Sequence, residues 1–375
     1  MRFPTILAGG LSVIALLAAA APASAQQEGS WLDRVKFSAD MRARAEANDN
    51  LNPAADRHRL RTRFRFGAKF DLGEEWSAGV RARSGSADDP NSPHQDLGGT
   101  GGALFNSFEL ALDQVYVTYE PQCLEGFSTT FGKFSNPMKR NPVYGDFMWD
   151  QDVQPEGVQV TWNCPWQDDT FTGIGATLGQ YVILENGAAE DIWSTFTQVY
   201  GSASLGGAGK LDGAISYYFV GDTTPDGAVS PLLGDNQGNA VTATDFASQF
   251  GVFNPMLAWS KDIWTVSTEF FSNTRAFDGA EDTGVTVGGA VKTGIGRFYY
   301  TYASIGQDAV FSPWTQDDFL LGTNMNSHLI GWKRPLNDMT TLHVWALASE
   351  ADDPALGGPD DLVYRFRVDL DFVLL

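Results

Sequence analysis

The sequence RHRLRTRFRFGAKF, residues 57–70, carries five arginines, one at every second position. Apolar side chains, among them Leu60, Phe64 and Phe66, fill most of the even-numbered positions of this stretch. Successive side chains of a β-strand point to opposite faces, so a strand here would have one cationic and one apolar face. The alternation therefore predicts a strand that separates water from an apolar medium.

The whole chain has 375 residues, 43% of them hydrophobic, and a formal net charge of −21. This hydrophobic content excludes a disordered acidic chain. Residues 1–25 combine a basic start, an apolar run and a small-x-small triplet at 23–25, which predicts a cleaved signal peptide and a mature chain of residues 26–375. No later run reaches about 18 consecutive apolar residues, so a helical membrane protein is not expected.

Beyond the signal peptide, apolar residues recur with period two, and Gly, Pro, Asn and Asp clusters interrupt them. This pattern predicts an all-β chain of about 16 strands. A soluble sandwich and a membrane barrel both fit it, since each has one polar and one apolar face. The connections favour the barrel, because short turns such as 73–75 alternate with long loops such as 135–155. We therefore predict a transmembrane antiparallel β-barrel with short periplasmic turns and long external loops.

Three segments resemble signature segments of the putative porin family of proteobacterial outer membranes: ALDQVYVTYEP (111–121), FGKFSNPM (131–138) and WDQDVQPEGVQV (149–160). The resemblance runs over most of the mature chain. It implies a general-diffusion-type porin of the cell outer membrane that passes small hydrophilic solutes and needs no cofactor. It also implies a homotrimer in contact with outer-membrane lipid and lipopolysaccharide, inserted by the barrel assembly machinery.

In such a barrel the arginine faces would line a water-filled lumen, since a guanidinium group facing lipid costs ~2–4 kcal/mol at the bilayer midplane. The first three strands and the last one, which closure makes neighbours, hold most of the positive charge. We call the following expected pore-lining residues the basic wall: Arg42, Arg44, Arg57, Arg59, Arg61, Arg63, Arg65, Lys69, Arg81, Arg83, Arg365 and Arg367.

Two roles stay open for the basic wall. Its guanidinium groups could form a relay for carboxylate or phosphate anions, because their planar donors suit such groups. Alternatively, neighbouring carboxylates could neutralise them in ion pairs. The carboxylates available for this second role are Asp40, Glu46, Asp71, Asp369 and Asp371.

The loop 135–155 follows the fifth predicted strand, where general-diffusion porins fold a loop inward to narrow the channel. Its acids Asp146, Asp150 and Asp152 would then face the basic wall. A transverse field of this kind orients dipolar solutes and hinders apolar ones. The loop is thus a candidate constriction loop, with an ordinary external loop as the alternative.

An enzyme is not expected, because the histidines are scattered and no H-E-x-x-H, G-x-S-x-G or Cys-x-x-Cys motif occurs. No metal site is predicted. Nucleic-acid binding is not expected either, since the phenylalanines between the arginines would face away from them. Besides passive diffusion, two functions stay open: an anion- or phosphate-selective channel, and a plugged barrel acting as ligand receptor or adhesin.

The two cysteines, Cys123 and Cys164, fall in predicted short turns at the same end of the barrel. Neighbouring strands lie ~4.8 Å apart, and a disulfide needs ~4.4–6.8 Å between its Cα atoms. We therefore predict a periplasmic disulfide, with two separate thiols as the alternative.

Overall fold

The computed structural model of the protein describes residues 31–49, 56–98, 107–165, 168–187, 190–224, 229–359 and 361–375. The predicted signal peptide lies outside these residues. The chain divides into two compact units, residues 1–35 and residues 36–375. The described part of the first unit is a short 3-10 helix, Trp31–Arg34, and the start of the first strand. The second unit contains one large antiparallel sheet.

Strands form wherever alternating apolar, β-branched and aromatic residues run between turn residues. The strands are β1 (Val35–Asp49), β2 (Arg57–Gly73), β3 (Trp76–Ser84), β4 (Gln95–Asp96), β5 (Leu110–Tyr119), β6 (Phe127–Lys133), β7 (Glu156–Asn163), β8 (Phe171–Leu184), β9 (Ile192–Ser204), β10 (Lys210–Val220), β11 (Gly251–Lys261), β12 (Trp264–Asn273), β13 (Thr283–Thr293), β14 (Gly296–Ile305), β15 (Met325–Asn337), β16 (Thr340–Ala351) and β17 (Val363–Val373). Further 3-10 helices lie at Gly206–Ala208, Pro231–Asp235, Ser312–Trp314 and Pro354–Leu356. None of the described helices is long and apolar enough to cross a membrane.

The sheet closes on itself, because β1 pairs with both β2 and β17. The two-residue strand β4 is an addition beside β2, and β3 pairs directly with β5. Sixteen longer strands remain, so the prediction of an antiparallel barrel of about 16 strands is confirmed. Closure removes the edges that an open sheet of this size would expose.

The connections alternate in length as predicted. The shortest turns are residues 74–75, 262–263, 294–295 and 338–339. The longest connections run at 85–109, 134–155, 221–250 and 306–324, and the first and third contain residues outside the described part of the chain. Short and long connections therefore lie at opposite ends of the barrel, which is the arrangement of an up-and-down barrel.

Residues 57–70 show how the two faces of the barrel wall differ. On β2, Arg61 and Arg63 expose only 8% and 6% of their surface, whereas Leu60 and Phe64 expose 59% and 37%. The buried residues face the interior of the barrel and the exposed ones face outward. A wall with charge inside and hydrocarbon outside is what a lipid environment requires.

Three of the long connections fold into the interior and pack against each other there. Trp149 of the connection 134–155 stacks on Trp314 of the connection 306–324, with ring centroids 4.4 Å apart and planes 6° apart. Other buried aromatic residues of this interior cluster are Phe147, Phe246, Phe250, Phe311 and Phe319. The largest apolar core of the described residues thus lies inside the barrel, between loops and wall.

The structure does not contain the disulfide predicted between Cys123 and Cys164. The register of β6 and β7 explains this: Phe127 pairs with Trp162, so the next positions along the two chains bring Glu125 opposite Cys164. Cys123 lies two residues farther on, in the turn between β5 and β6. The prediction treated the two turns as level, whereas the register offsets the two cysteines by two residues.

Candidate functional site

The seam between β17 and β1 supplies the first part of the basic wall. Its register places Arg42 opposite Asp371 and Arg44 opposite Asp369. Arg42 Nε donates to Asp371 Oδ1 at 2.6 Å, and Arg44 holds both oxygens of Asp369, at 2.8 and 3.0 Å. Bidentate contacts of this kind are the stronger class of charged hydrogen bond. The strands that close the barrel are therefore joined by ion pairs as well as by backbone hydrogen bonds.

The arginines of β2 are also paired. Arg59 contacts Glu46. Arg63 and Arg65 share Asp40, at 2.8 and 2.9 Å from its oxygens. Each of these carboxylates lies on the adjacent strand β1, on the same face of the sheet. Cross-strand neighbours of opposite charge stabilise a sheet, so this part of the wall is neutralised internally.

The short strand β4 supplies a carboxylate for the arginines near the start of β2. It brings Asp96 opposite Arg61, and Arg61 Nε lies 2.8 Å from Asp96 Oδ1. Arg57 reaches the same carboxylate at 3.2 Å, although 53% of its side chain is exposed. Lys69, near the other end of β2, is exposed. No sequence pattern indicates this pairing, because residue 96 lies in a long connection between β3 and β5.

Within β3, Arg81 and Arg83 differ in their partners. Arg81 Nη2 lies 2.6 Å from Asp113 Oδ2, on the neighbouring strand β5. Arg83 is buried and donates mainly to backbone carbonyls, to Ser92 at 3.0 Å and to Asp89 at 2.6 Å. Arg83 thus holds the connection after β3 in place, which is a structural task rather than a solute contact.

The last strand contacts the connection 306–324. Arg367 is fully buried and contacts both Glu46 and Asp318. Arg365 donates to the backbone carbonyls of Asp317 and Asp318, at 2.8 and 2.6 Å. The basic wall therefore anchors a second inward connection, besides the candidate constriction loop 135–155.

Of the carboxylates considered for pairing, four contact arginines of the wall and one does not. Asp40, Glu46, Asp369 and Asp371 make the contacts given above. Asp71 instead accepts a hydrogen bond from the backbone N–H of Gly73, at 3.0 Å, in the turn after β2. The geometry is that of a neutralised wall and not of a bare cationic relay.

The candidate constriction loop 135–155 crosses the interior. At one side Asn141 donates to Glu269 of β12 at 3.1 Å. At the other, Asp152 lies 3.4 Å from Arg65 of β2. The loop thus spans between strands that are far apart around the barrel, which an external loop would not do.

The three acids of this loop have different surroundings. Asp152 faces the basic wall, whereas Asp146 contacts Arg140 of the same loop. Burial raises the pKa of Asp146 to about 6, with Asp318 adding to the rise and Arg140 opposing it. Burial, followed by the charges of Asp146 and Asp152, also raises the pKa of Asp150. Part of the expected negative charge is therefore titratable near neutral pH.

A polar cavity of about 230 Å³ lies between this loop, the connection 306–324 and the inner faces of β14–β17 and β1. Arg42 and Arg44 of the basic wall line it. Arg297 of β14 and Lys333 of β15 line it as well. Cations of two separate regions thus meet in one space inside the barrel.

Arg297 and Lys333 were not singled out by the sequence analysis. They lie directly opposite each other in the register of β14 and β15, and Lys292 lies opposite Arg297 on β13. We call Lys292, Arg297 and Lys333 the cationic row. Lys292 and Arg297 flank the turn 294–295, whereas Lys333 lies 36 residues after Arg297, so the register of β14 and β15 is needed to bring Lys333 beside them.

Within the described ranges, no group of three or more His, Cys, Asp or Glu side chains is placed to hold a metal ion.

The comparisons with known proteins agree with this architecture. The model of the putative porin family matches residues 46–202. This range contains the three segments on which the family resemblance was based, so the resemblance is confirmed there. No curated protein matches the chain.

Solved structures with the same fold include OprB of Pseudomonas putida, with 13% identity, a TM-score of 0.57 and coverage of 92% of this chain and 95% of that one. A triple mutant of the Rhodopseudomonas blastica porin has 9% identity and a TM-score of 0.51, and the match covers 91% of this chain and 100% of that one. A loop-deletion mutant of OmpT, an outer membrane protein of Vibrio cholerae, has 11% identity, a TM-score of 0.50 and coverage of 91% and 100%. At these identities the likeness shows the fold alone.

Proposed function

Because residues 46–202 match the putative porin family and residues 36–375 form a closed porin-like barrel, we propose that this protein is a porin of the cell outer membrane. It lets ions and small hydrophilic solutes diffuse passively through the interior. The observation that carries the proposal is the division of the wall into a charged inner and an apolar outer face. Outward residues such as Leu178, Val199, Ile215 and Leu257 expose 48–59% of their surface, which suits lipid and not water.

The solute path runs past the candidate constriction loop 135–155. Its contacts with both β12 and β2 support an inward position, and Asp152 of the loop contacts Arg65 of the basic wall directly. The wall is polar but internally paired, so its arginines keep the lumen wetted and hold the loops in place. Small dipolar solutes pass such a lumen more readily than apolar ones, which must shed ordered water.

Single-channel recording in planar bilayers tests this function. The purified, folded barrel should give discrete conductance steps that increase with salt concentration. Heat-denatured protein from the same preparation is the control. A barrel that is folded by circular dichroism and yet gives no steps would contradict the porin function.

A plugged receptor or adhesin is the second candidate. The interior cluster favours it, because three connections pack there through aromatic contacts such as the stack of Trp149 on Trp314. The same recording decides between the two candidates. An anion relay along the basic wall is less well supported, since its guanidinium groups contact carboxylates.

Assembly in the membrane belongs to the same proposal. We expect a homotrimer surrounded by outer-membrane lipid and lipopolysaccharide, after removal of residues 1–25 and insertion by the barrel assembly machinery. Chemical crosslinking in native outer membranes tests the trimer. Mass spectrometry of the purified protein tests the cleavage after residue 25.

A further inference from the structure

The cationic row differs from other charged parts of the interior because it lacks acids. Register places the side chains of Arg297 and Lys333 directly opposite each other, on the same inward face. Like charges in this position destabilise a sheet. Among the described residues, no carboxylate oxygen lies within 4.0 Å of either side chain.

The contacts that these two cations do make are weak substitutes for a counterion. Arg297 donates to the backbone carbonyl of Pro142 at 2.8 Å, and its guanidinium carbon lies 5.3 Å from the ring centroid of Tyr299. Lys333 is exposed within the interior. Two cations side by side, open to the same cavity, form an attractive place for a mobile anion.

The acids that line the same cavity are occupied by other arginines. Asp146 contacts Arg140, and Asp318 contacts Arg367. The third acid, Asp369, is held by Arg44 of the basic wall in the bidentate pair described above. The cavity therefore keeps a local surplus of positive charge at Arg297 and Lys333.

Two further polar atoms of the cavity-lining residues are buried and have no hydrogen-bond partner: Nη2 of Arg140 and the hydroxyl of Tyr144. Buried polar groups are normally satisfied, so unsatisfied ones in a cavity wall need an explanation. Both can donate a hydrogen bond. They belong to the constriction loop, whose Pro142 carbonyl accepts a hydrogen bond from Arg297, and would suit a second acceptor group of a bound anion.

Apolar side chains complete the lining. Val143, Leu329 and Trp345 border the cavity together with the rings of Tyr144 and Tyr299. Val143, Leu329 and Trp345 are 2–7% exposed, and the small apolar area that they leave in the cavity can contact a short hydrocarbon body between the acceptor groups of an organic anion. The volume of about 230 Å³ fits a molecule of that size.

From these observations we propose that the cavity is a binding site for small organic acids. One carboxylate of the solute lies between Arg297 and Lys333, and its acceptor atoms at the other end take hydrogen bonds from Arg140 and Tyr144. This inference rests on the proposed porin function, since it names the class of solute that pauses in the channel. The site binds the acid reversibly, without a chemical step.

Isothermal titration calorimetry of the folded barrel in detergent, with succinate as the probe, tests the site. Wild-type protein should bind succinate saturably, and Lys333→Gln should weaken binding about tenfold, because a hydrogen bond to a charged group is lost. Lys292→Gln is the matched control. It removes the same charge from the neighbouring position of the row, but Lys292 does not line the cavity, so affinity should stay within about twofold at physiological salt.

The outcomes separate this inference from the porin function. Absence of succinate binding to a barrel that conducts would overturn the site and leave the porin function intact. Binding by a barrel that does not conduct would support the site and overturn the porin function. Equal loss in Lys333→Gln and Lys292→Gln, or tighter binding of inorganic phosphate than of succinate, would overturn the assignment to organic acids at this cavity.

Discussion

The basic wall and the cationic row are both positively charged inner surfaces of one barrel, but they differ in their counterions. Every arginine of the wall has a carboxylate oxygen within 4.0 Å. Arg297 and Lys333 have none within the described part of the chain. The wall carries many more cations, yet the row presents the less neutralised field to a solute. Density of arginines in a sequence is therefore a poor guide to where an anion binds.

The two regions should also differ in what their cations do for folding. A buried, paired guanidinium holds strands and loops together, and its loss leaves carboxylates buried without a partner. An unpaired cation beside another one contributes nothing of that kind and even opposes folding slightly. The basic wall thus contributes mainly to stability and the cationic row to solute binding, and substitutions in each region can separate the two roles.

The largest expected effect comes from breaking the paired wall at Arg367. Arg367→Met leaves Glu46 and Asp318 without this partner and should lower the free energy of unfolding by about 3–5 kcal/mol. Lys333→Met is the matched control from the cationic row and should change it by no more than about 0.5 kcal/mol. Denaturant titration of the barrel in detergent or lipid vesicles measures both. Equal losses in the two variants would erase the distinction between the regions.

A somewhat smaller loss is expected on the outer face of the same wall. Phe64→Arg exchanges an outward ring for a guanidinium group and should cost about 2–4 kcal/mol if the position lies near the bilayer midplane. Phe64→Leu, which keeps the surface apolar, is the control. Folding yield into lipid vesicles, followed by gel mobility without heating, measures the difference. Normal insertion of Phe64→Arg would mean that this face does not contact lipid.

The smallest effect is a dependence on pH in the cavity between the two regions. The pKa of Asp146 is raised from 3.8 to about 6 in the folded protein, chiefly by burial. The folded state therefore binds more protons than the unfolded state between these values, so the stabilising contribution is complete at low pH and declines as pH rises through about 6. Protonation also removes a negative charge from the cavity, so anion preference should increase when pH falls.

Reversal potentials measured from about pH 7 to about pH 5 test this expectation. Asp146→Asn is the control and should reduce the pH-dependent shift, leaving the share of Asp150, whose pKa is also raised. A shift of the same size in wild type and variant would assign the titration to other groups.

Much of the fold could be predicted from the sequence because the period-two pattern is local. The stretch 57–70 shows both faces of its strand directly, and the lengths of the connections show which end of the barrel is which. The short strand β4 could not be predicted, since two residues carry no period. Its contribution, Asp96, changes the electrostatics of the wall.

The site could be predicted only in part. The basic wall could be predicted because many of its arginines are close together in the sequence. Their partners Asp318 and Asp113 could not, because they come from a loop and from another strand. Arg297 and Lys333 are 36 residues apart in the sequence, and only the register of β14 and β15 makes them neighbours. The disulfide prediction failed for the same reason, because register, not turn position, sets which residues face each other.

The most direct test of the account compares the reversal potential in a potassium chloride gradient for two variants. Lys333→Gln removes one unpaired cation and should move the potential towards cation selectivity. The double variant Arg81→Gln, Asp113→Asn removes the closest ion pair of Asp113 and leaves the net charge unchanged. Arg83, which lies 4.0 Å from Asp113, keeps its hydrogen bonds to the backbone carbonyls of Ser92 and Asp89, so the variant should keep the wild-type potential. A shift in the double variant with none in Lys333→Gln would contradict the claim that the unpaired cations, and not the paired wall, set the ion preference.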